Sequence, residues 1–286
     1  MRSRPWLKHV PALLGGLVGV SIAGSAQAQS NAQGLLDNSW VFNLGAFVVG
    51  SDLSAGLNGS SRNNPTIDFD KNYGRADDAT RIRGDVLWRI TPVHHLRFMY
   101  FNNDTTRSRV LDNDVQWGDY TFKAGSRSDL QYKFEVSELA YEWGFLKTPT
   151  YELAASFGLH YSKTTLQLSG TATVTDANGQ TGTASAASKA SSLPAPLPVI
   201  GLRGGWLLAP NWYLDGQAQF FKVNIDGYDG RWSDLRLGAT WMFAKNFGVG
   251  LGYNRFGTRV DVDRNNFGGT LKASYSGLQA YLTGTF

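Results

Sequence analysis

The chain has 286 residues, of which 42% are hydrophobic, 13% aromatic and 17% charged, with 33 Gly, 9 Pro and no Cys. So apolar a composition excludes a disordered chain. The lack of thiols excludes disulfides, Cys-ligated metals and a cysteine nucleophile. The formal charge of +4 comes mostly from the N-terminus. Arg2, Arg4 and Lys8 are the only charged residues before position 29, and without them 27 − 3 = 24 basic residues face 23 acidic ones. A nucleic-acid partner then has no support.

Residues 1–28 read as a secretory signal. A cationic start precedes an uncharged apolar run from Val10 to Gly24, and Ala26-Gln27-Ala28 supplies the small-x-small pattern of a cleavage site. The run is short for a membrane helix, which needs roughly 20 apolar residues. Cleavage after Ala28 leaves one domain, Gln29–Phe286, of 286 − 28 = 258 residues.

No later stretch is long and apolar enough to span a bilayer as a helix; alternation takes its place. In Trp40–Val49 the side chains Trp40, Phe42, Leu44, Ala46 and Val48 share one face. In Thr80–Ile90 the apolar face is Ile82, Val86, Trp88 and Ile90, opposite Arg81, Arg83, Asp85 and Arg89. Period two places successive side chains on opposite faces of a sheet, so these are amphipathic strands. The pattern recurs in Leu96/Phe98/Tyr100, Leu139/Tyr141/Trp143/Phe145 and Tyr151/Leu153/Ala155/Phe157/Leu159. Further on come Ile200/Leu202/Trp206/Leu208, Trp212/Leu214/Ala218/Phe220, Leu235/Leu237/Ala239/Trp241/Phe243, Phe247/Val249/Leu251/Tyr253 and Leu278/Ala280/Leu282/Phe286. Leu130/Tyr132/Phe134/Val136 are even-numbered while Leu139 onward are odd, so a bulge is expected near Ser137-Glu138.

Connections alternate too. Short turns at Thr91–His94, Lys147–Thr150, Ala209–Asn211 and Ala244–Asn246 are separated by long polar connections at Ser51–Ala79, Asn102–Arg127, Ser169–Ser192, Asp226–Ser233 and Arg255–Thr270. Four short turns joining five up-and-down units make ten strands, an even number, as a closed bacterial barrel requires. The Ser/Thr/Ala/Gly-rich Ser169–Ser192 reads as a mobile loop. Pro194, Pro196 and Pro198 lack the ladder donor, so regular pairing is expected to begin after them. Trp88, Trp143, Trp206, Trp212 and Trp241 lie near short turns on the apolar face, Trp40 opens the first strand and Phe286 ends the last. In a barrel they form one belt at a membrane boundary, whereas a soluble sandwich would bury them in mid-strand.

The signal, the alternating loops and the aromatic C-terminus of Gly277–Phe286 together resemble bacterial outer-membrane β-barrels over all 258 residues that follow position 28. In size the chain is similar to the small OmpW-like and OmpX-like barrels, though larger than those eight-stranded forms. The resemblance implies an all-β, up-and-down antiparallel transmembrane barrel of about ten strands, with short turns in the periplasm and long loops outside the cell. It also implies an assembly signal at Leu278, Ala280, Leu282 and Phe286, read by the barrel-assembly machinery. Further implications are contact with outer-membrane lipids and lipopolysaccharide, and a monomer in the bacterial outer membrane.

Alternation assigns Arg81, Arg83, Arg89, Arg97, Lys133, Arg203 and Arg236 to the lumen, with Asp85, Glu135, Glu138, Glu142, Glu152 and Asp215. Such near-balance suits a narrow barrel in which charges pair to offset their desolvation. The expected result is a cross-tied core; the alternative is a thin polar pore for small solutes. Inward Gly201, Gly205, Gly248, Gly250 and Gly252 either leave space or relieve crowding.

Catalytic constellations are scarce. His94 and His95 read as solvated turn residues. His160-Tyr161-Ser162 echoes the His-x-Ser spacing of outer-membrane lipid A deacylases, which implies acyl hydrolysis, yet both residues point into the lumen. Ten-stranded omptin proteases need a histidine near carboxylates at the outer rim, and the long loops hold none. Asp226–Gly230 and Asp261/Asp263 have the composition of hairpin turns more than of a calcium site. No cofactor, metal or catalytic residue is expected. The sequence points to a non-enzymatic barrel whose outer loops, with Trp117, Tyr120 and Phe122, suit surface contact.

Overall fold

The computed structural model describes residues 30–57, 66–74, 79–176, 178–225, 228–264 and 267–286. The signal read at 1–28 lies outside the described residues. A 3-10 turn (Asn31–Gln33) runs into α1 (Gly34–Asp37), followed by β1 (Trp40–Leu57), β2 (Ile67–Asp68) and α2 (Phe69–Tyr73). Then come β3 (Ala79–Arg89), β4 (His94–Val110), β5 (Val115–Trp117), β6 (Tyr120–Phe122), β7 (Arg127–Lys147) and β8 (Tyr151–Thr175). The chain ends with β9 (Thr181–Ala209), β10 (Trp212–Ile225), β11 (Tyr228–Met242), β12 (Phe247–Arg264) and β13 (Phe267–Thr285).

Setting aside β2, β5 and β6, the other ten strands form one closed antiparallel ring in chain order. β8 pairs with β9, and β1 closes on β13 from Val41↔Thr285 to Leu57↔Gly269. β2 pairs with the upper end of β1, and the β5–β6 hairpin pairs through β6 with the upper end of β8. The solvation pattern is inverted relative to a soluble protein. Ile82, Leu251 and Leu278 are 67–69% exposed, whereas Arg83, His95, Glu138, Glu142 and Glu152 are at most 1% exposed. Apolar side chains line the outside of every wall strand, an arrangement that water would penalise and hydrocarbon does not.

Three layers fill the cylinder. At the short-turn end, Ala32, Leu35 and Leu36 pack against Val41, Leu87, Tyr213 and Met242 and stop that mouth. This N-terminal plug is tied to the wall all round. Arg89 donates to the Leu35 carbonyl (2.7 Å), Lys147 to that of Leu36 (3.0 Å), Thr285 to that of Gly34 (2.9 Å), and Ser30 to that of Pro210 (2.7 Å). A charged layer follows. Towards the long-loop end lies an aromatic layer of Phe47, Phe101, Phe134, Trp232, Phe256 and Tyr275, capped by Phe69 and Tyr73 of α2 and by Trp117 and Phe122. Its rings touch closely: Phe256 and Tyr275 stack at 4.6 Å, and Phe101 lies 5.2 Å from Tyr275.

Several expectations need correction. β7 shows no bulge at Ser137-Glu138. It pairs with β4 without a shift from His94↔Trp143 to Val110↔Arg127, and its shift against β8 falls at Gly144/Leu146. Leu130, Tyr132, Phe134 and Val136 therefore face inward, into the aromatic layer. It follows that Lys133 and Glu135 point outward and do not belong to the lumen; Lys133 meets Asp104 at 3.4 Å on the outside. Most of Ser169–Ser192 is paired strand: β8 and β9 pair as far as Thr175↔Thr181, with one register shift between Gly170 and Ala172. Pro194, Pro196 and Pro198 sit inside β9. They alternate, so their missing donors fall on one edge, and that edge has no strand partner because pairing with β10 stops at Ile200. Strands reach Ile225, Tyr228, Arg264 and Phe267, so the two last "long loops" are hairpins. Trp117 and Phe122 are buried rather than presented at the surface, and Tyr120 is half-buried.

Candidate functional site

Register explains how the charged layer assembles. Arg97 of β4 faces Ala140 of β7, so the inward neighbours two residues either side of Ala140 are Glu138 and Glu142. Glu138 stands opposite His160, Arg203 opposite Ala154 and Glu152 opposite Gly205 across β7, β8 and β9. A zigzag of alternating charge results. Arg89 approaches Glu152 (3.6 Å); Arg203 bridges Glu152 and Glu142 (both 2.6 Å); Arg97 bridges Glu142 and Glu138 (both 2.8 Å); Glu138 ends on His160 Nε2 (2.5 Å). His95 joins at Glu152 (3.4 Å), and Gln219 donates to Glu138 (2.7 Å).

Other contacts cross the lumen. Arg97 on β4 also donates to Gln217 on β10, nearly opposite in the ring. Arg236 on β11 reaches Asp85 on β3 (2.9 Å) and lies 3.9 Å from Asp215. Asp85 accepts from Asn43 as well (2.7 Å). Arg83 on β3 donates to Asn254 on β12 (3.1 Å), which in turn donates to Asp234. Buried charges are tolerated when paired and hydrogen-bonded. Most of this layer meets that condition by tying opposite walls together, whereas Arg83 reaches Asp234 only through Asn254, and Arg83 Nε and Arg236 Nε have no hydrogen-bond partner among the described residues.

Of the charges assigned to the lumen, Arg83, Asp85, Arg89, Arg97, Glu138, Glu142, Glu152, Arg203, Asp215 and Arg236 thus meet in the lumen as a zigzag and cross-ties. Arg81 stands apart, higher on β3, half-buried and donating to Asn103 (2.7 Å) and Thr105 (3.0 Å). Lys133 and Glu135 lie outside. Sequence reasoning missed His95, Asp234, Asn254, Gln217 and Gln219. His95 is the second residue of β4 and is fully buried, not solvated; its shared parity with Arg97 was the available signal. His94 is exposed and bonds the Tyr141 hydroxyl (2.6 Å). The inward glycines relieve crowding rather than leave space: Gly201 abuts Gln219 and Gly248 abuts Met242, and others make room for tyrosines. A Cβ on Gly250 or Gly45 would overlap Tyr281, and one on Gly205 would overlap Tyr213.

His160 is committed to this layer. Its Nε2 is taken by Glu138, its ring centroid lies 4.1 Å from that of Trp232, and the aromatic layer separates it from the outside. Ser162 is half-buried, two residues further along β8. Among the described residues no His/Cys/Asp/Glu group has the geometry to hold a metal ion; Asp226 and Gly227 lie outside them, and Asp261 is engaged by Arg259 and Thr270. The aromatic belt is at the short-turn end, facing outward. Trp40 and Trp88 stack at 5.2 Å, Trp212 pairs with Trp241, and Trp143, Trp206 and Phe286 are exposed. Leu278, Ala280 and Leu282 share that outward face on β13.

A closed ten-stranded cylinder with an apolar exterior and an ionic interior defines an outer-membrane-type β-barrel. No family model matches the chain, and no curated protein matches it in sequence. Among solved structures it is similar to the outer membrane protease OmpT of Escherichia coli, with a TM-score of 0.56 and 14% identity over 87% of this chain and 97% of that one. It also matches the toluene transporter TodX of Pseudomonas putida, at TM-score 0.37 and 7% identity over 91% and 93% of the two chains. A third match is the translocator domain of the autotransporter NalP from Neisseria meningitidis, at 0.31 and 8% over 85% and 88%. The OmpT likeness shows a shared barrel fold and nothing about activity.

Proposed function

We propose that this chain is an integral outer-membrane barrel without catalytic activity, whose ion-paired lumen keeps the cylinder shut and stiff. On this reading it is exported by residues 1–28, cleaved after Ala28, and assembled as a monomer through the Leu278/Ala280/Leu282/Phe286 signal. Its apolar band meets outer-membrane lipid and lipopolysaccharide, with the tryptophan belt at the periplasmic boundary. One observation carries the proposal: the lumen is filled at three successive levels, by the N-terminal plug, the cross-wall ion pairs and the aromatic layer. The outer end supplies the working surface. β8 and β9 have 25 and 29 residues, whereas a tilted strand needs only about 9–11 to cross a bilayer. The surplus stands outside as paired strands, a platform for structural or interaction roles.

Planar-bilayer recording tests this reading. The purified barrel is expected to give no unitary conductance above background, and discrete openings from wild type would overturn the closed-lumen proposal. Incubation with lipopolysaccharide is expected to release no fatty acid. Release that disappears in His160→Ala would overturn the non-catalytic proposal.

A further inference from the structure

The outer face of β10–β13 carries an arrangement that strand pairing alone disfavours. Lys222 pairs with Arg231, Arg231 with Arg259, and Arg259 with Lys272. Four cations on four adjacent strands therefore stand side by side in one cross-strand row, all on outward positions. Like charges directly opposite one another repel. Asp261 pairs with Arg259 (2.6 Å), but Lys222, Arg231 and Lys272 have no carboxylate within ion-pairing distance among the described residues.

The row borders a concavity. The next outward row towards the membrane is Ser233, Gly257 and Ser274, again register partners. These small residues floor a groove of about 800 Å³ that Arg231, Arg259 and Lys272 overhang. Carboxylates stand at its far side, each with a hydrogen-bond partner, and Lys71 lines the groove beside them. Asp70 is held by Arg107 (2.7 Å), Asp68 caps the amide of Lys71 (3.0 Å), and Asp52 accepts from Ser274 (3.5 Å).

Its height identifies the ligand. Lys222 is ten residues beyond Trp212 on β10, and Arg231 ten residues from Trp241 on β11, those two tryptophans being partners in the belt. At ~3.3 Å per residue and a tilt of ~40°, ten residues climb roughly 25 Å, the height of the apolar band itself. The row thus begins where hydrocarbon ends on the long-loop side and rises away from it across β12 and β13. Resting on the outer-membrane placement proposed above, we propose that this groove binds the phosphate groups of a phosphorylated glycolipid of the outer leaflet. The cation row would grip the phosphates by charge-assisted hydrogen bonds, and the small-residue floor would admit the sugar to which they are attached.

Binding of bisphosphorylated lipid A to the full-length barrel in detergent, read by native mass spectrometry, tests this. Wild type is expected to bind it at least about tenfold more tightly than dephosphorylated lipid A, and Arg231→Gln to lose most of that preference. Inorganic phosphate at millimolar concentration is expected not to displace the lipid. Equal binding of the two lipids, full preference in Arg231→Gln, or displacement by phosphate alone would each overturn the proposal. A second measurement guards against a variant that merely misfolds. Arg231 is repelled from both sides, so without lipid Arg231→Gln is expected to raise the unfolding midpoint, and with lipid A to lie below wild type. A variant destabilised in both conditions would count against the phosphate role. Conductance is untouched by any of these outcomes, so failure here is separable from failure of the closed-lumen proposal.

Discussion

Glu142 is the most demanding test of the ionic layer. It is fully buried, accepts a hydrogen bond from Arg203 Nε at 2.6 Å and makes an ion pair with Arg97 Nε at 2.8 Å. The one charge-assisted hydrogen bond, from Arg203, is worth about 1.5–3 kcal/mol, and the ion pair with Arg97 adds to it. Removing one partner of a buried ion pair independently costs about 3–5 kcal/mol. Glu142→Gln should therefore destabilise the barrel by about 4 kcal/mol. In urea titrations followed by tryptophan fluorescence, with a slope near 3 kcal/mol/M, that lowers the midpoint by roughly 1.3 M. The double variant Glu142→Leu/Arg203→Leu leaves Arg97 with Glu138 and Arg89 with Glu152, a neutral remainder. It should cost less than the sum of its single variants by about 2 kcal/mol or more. A Glu142→Gln midpoint within measurement error of wild type, or strict additivity in the cycle, would refute the reasoning.

Lys133→Gln removes a half-exposed pair with Asp104 and should change stability by less than about 1 kcal/mol in the same titration; a larger loss would mean the side chain faces inward after all. Gly250→Val drives a side chain into Tyr281, and overpacking of this kind should cost about 1–3 kcal/mol or more, with reduced yield of heat-modifiable barrel on gels. Leu36→Asp breaks the N-terminal plug, yet bilayer conductance should stay at background because two further layers close the lumen. Asp114, outside the wall, accepts from the Ala124 amide (2.8 Å) and Lys123 (2.9 Å), and the amide bond above all holds its carboxyl below the ordinary aspartate range. The folded-state value being depressed, this contribution is present above the ordinary aspartate range and lost as pH falls through the lowered one. An NMR titration of the Asp114 carboxyl should show the depressed midpoint, and Asp114→Asn should loosen the segment at neutral pH.

The barrel wall was legible because a strand reports its two faces with period two, and the aromatic belt because tryptophan clustered at turns. Inward polar residues were readable where parity was unbroken, as for Arg97, Glu142 and Glu152. The reading failed where one apolar face was assumed to mean lipid. Tyr132, Phe134 and Val136 are apolar yet face the lumen, since above the charged layer the interior is itself aromatic. Taking them as lipid-facing required a slip at Ser137-Glu138, and the slip turned Lys133 and Glu135 inward. Composition misled in the same way for Ser169–Ser192, where small residues that suit a linker equally suit a ladder once β8 supplies a partner. The N-terminal plug left no period at all: seven residues are too few for a pattern, and their burial depends on turns distant in sequence.

These failures share a physical origin that also bears on function. Lipid on the outside forces one side of every strand to be apolar but leaves the inner side free to be ionic or aromatic. The chain uses that freedom by height. Arginine–carboxylate pairs occupy the depth next to the tryptophan belt, where Glu138 and Glu142 of β7 meet β4, β8 and β9; rings occupy the depth next to the long loops, where Phe134 and Val136 of the same strand meet Phe256 and Tyr275. A water-filled conduit would need one polar lining along its whole length. A lining that changes from ionic to aromatic within three or four residues of β7 presents an ion with an apolar barrier at one end and a cross-tied one at the other. That discontinuity argues for a closed wall whose chemistry lies on its outside and at its rim.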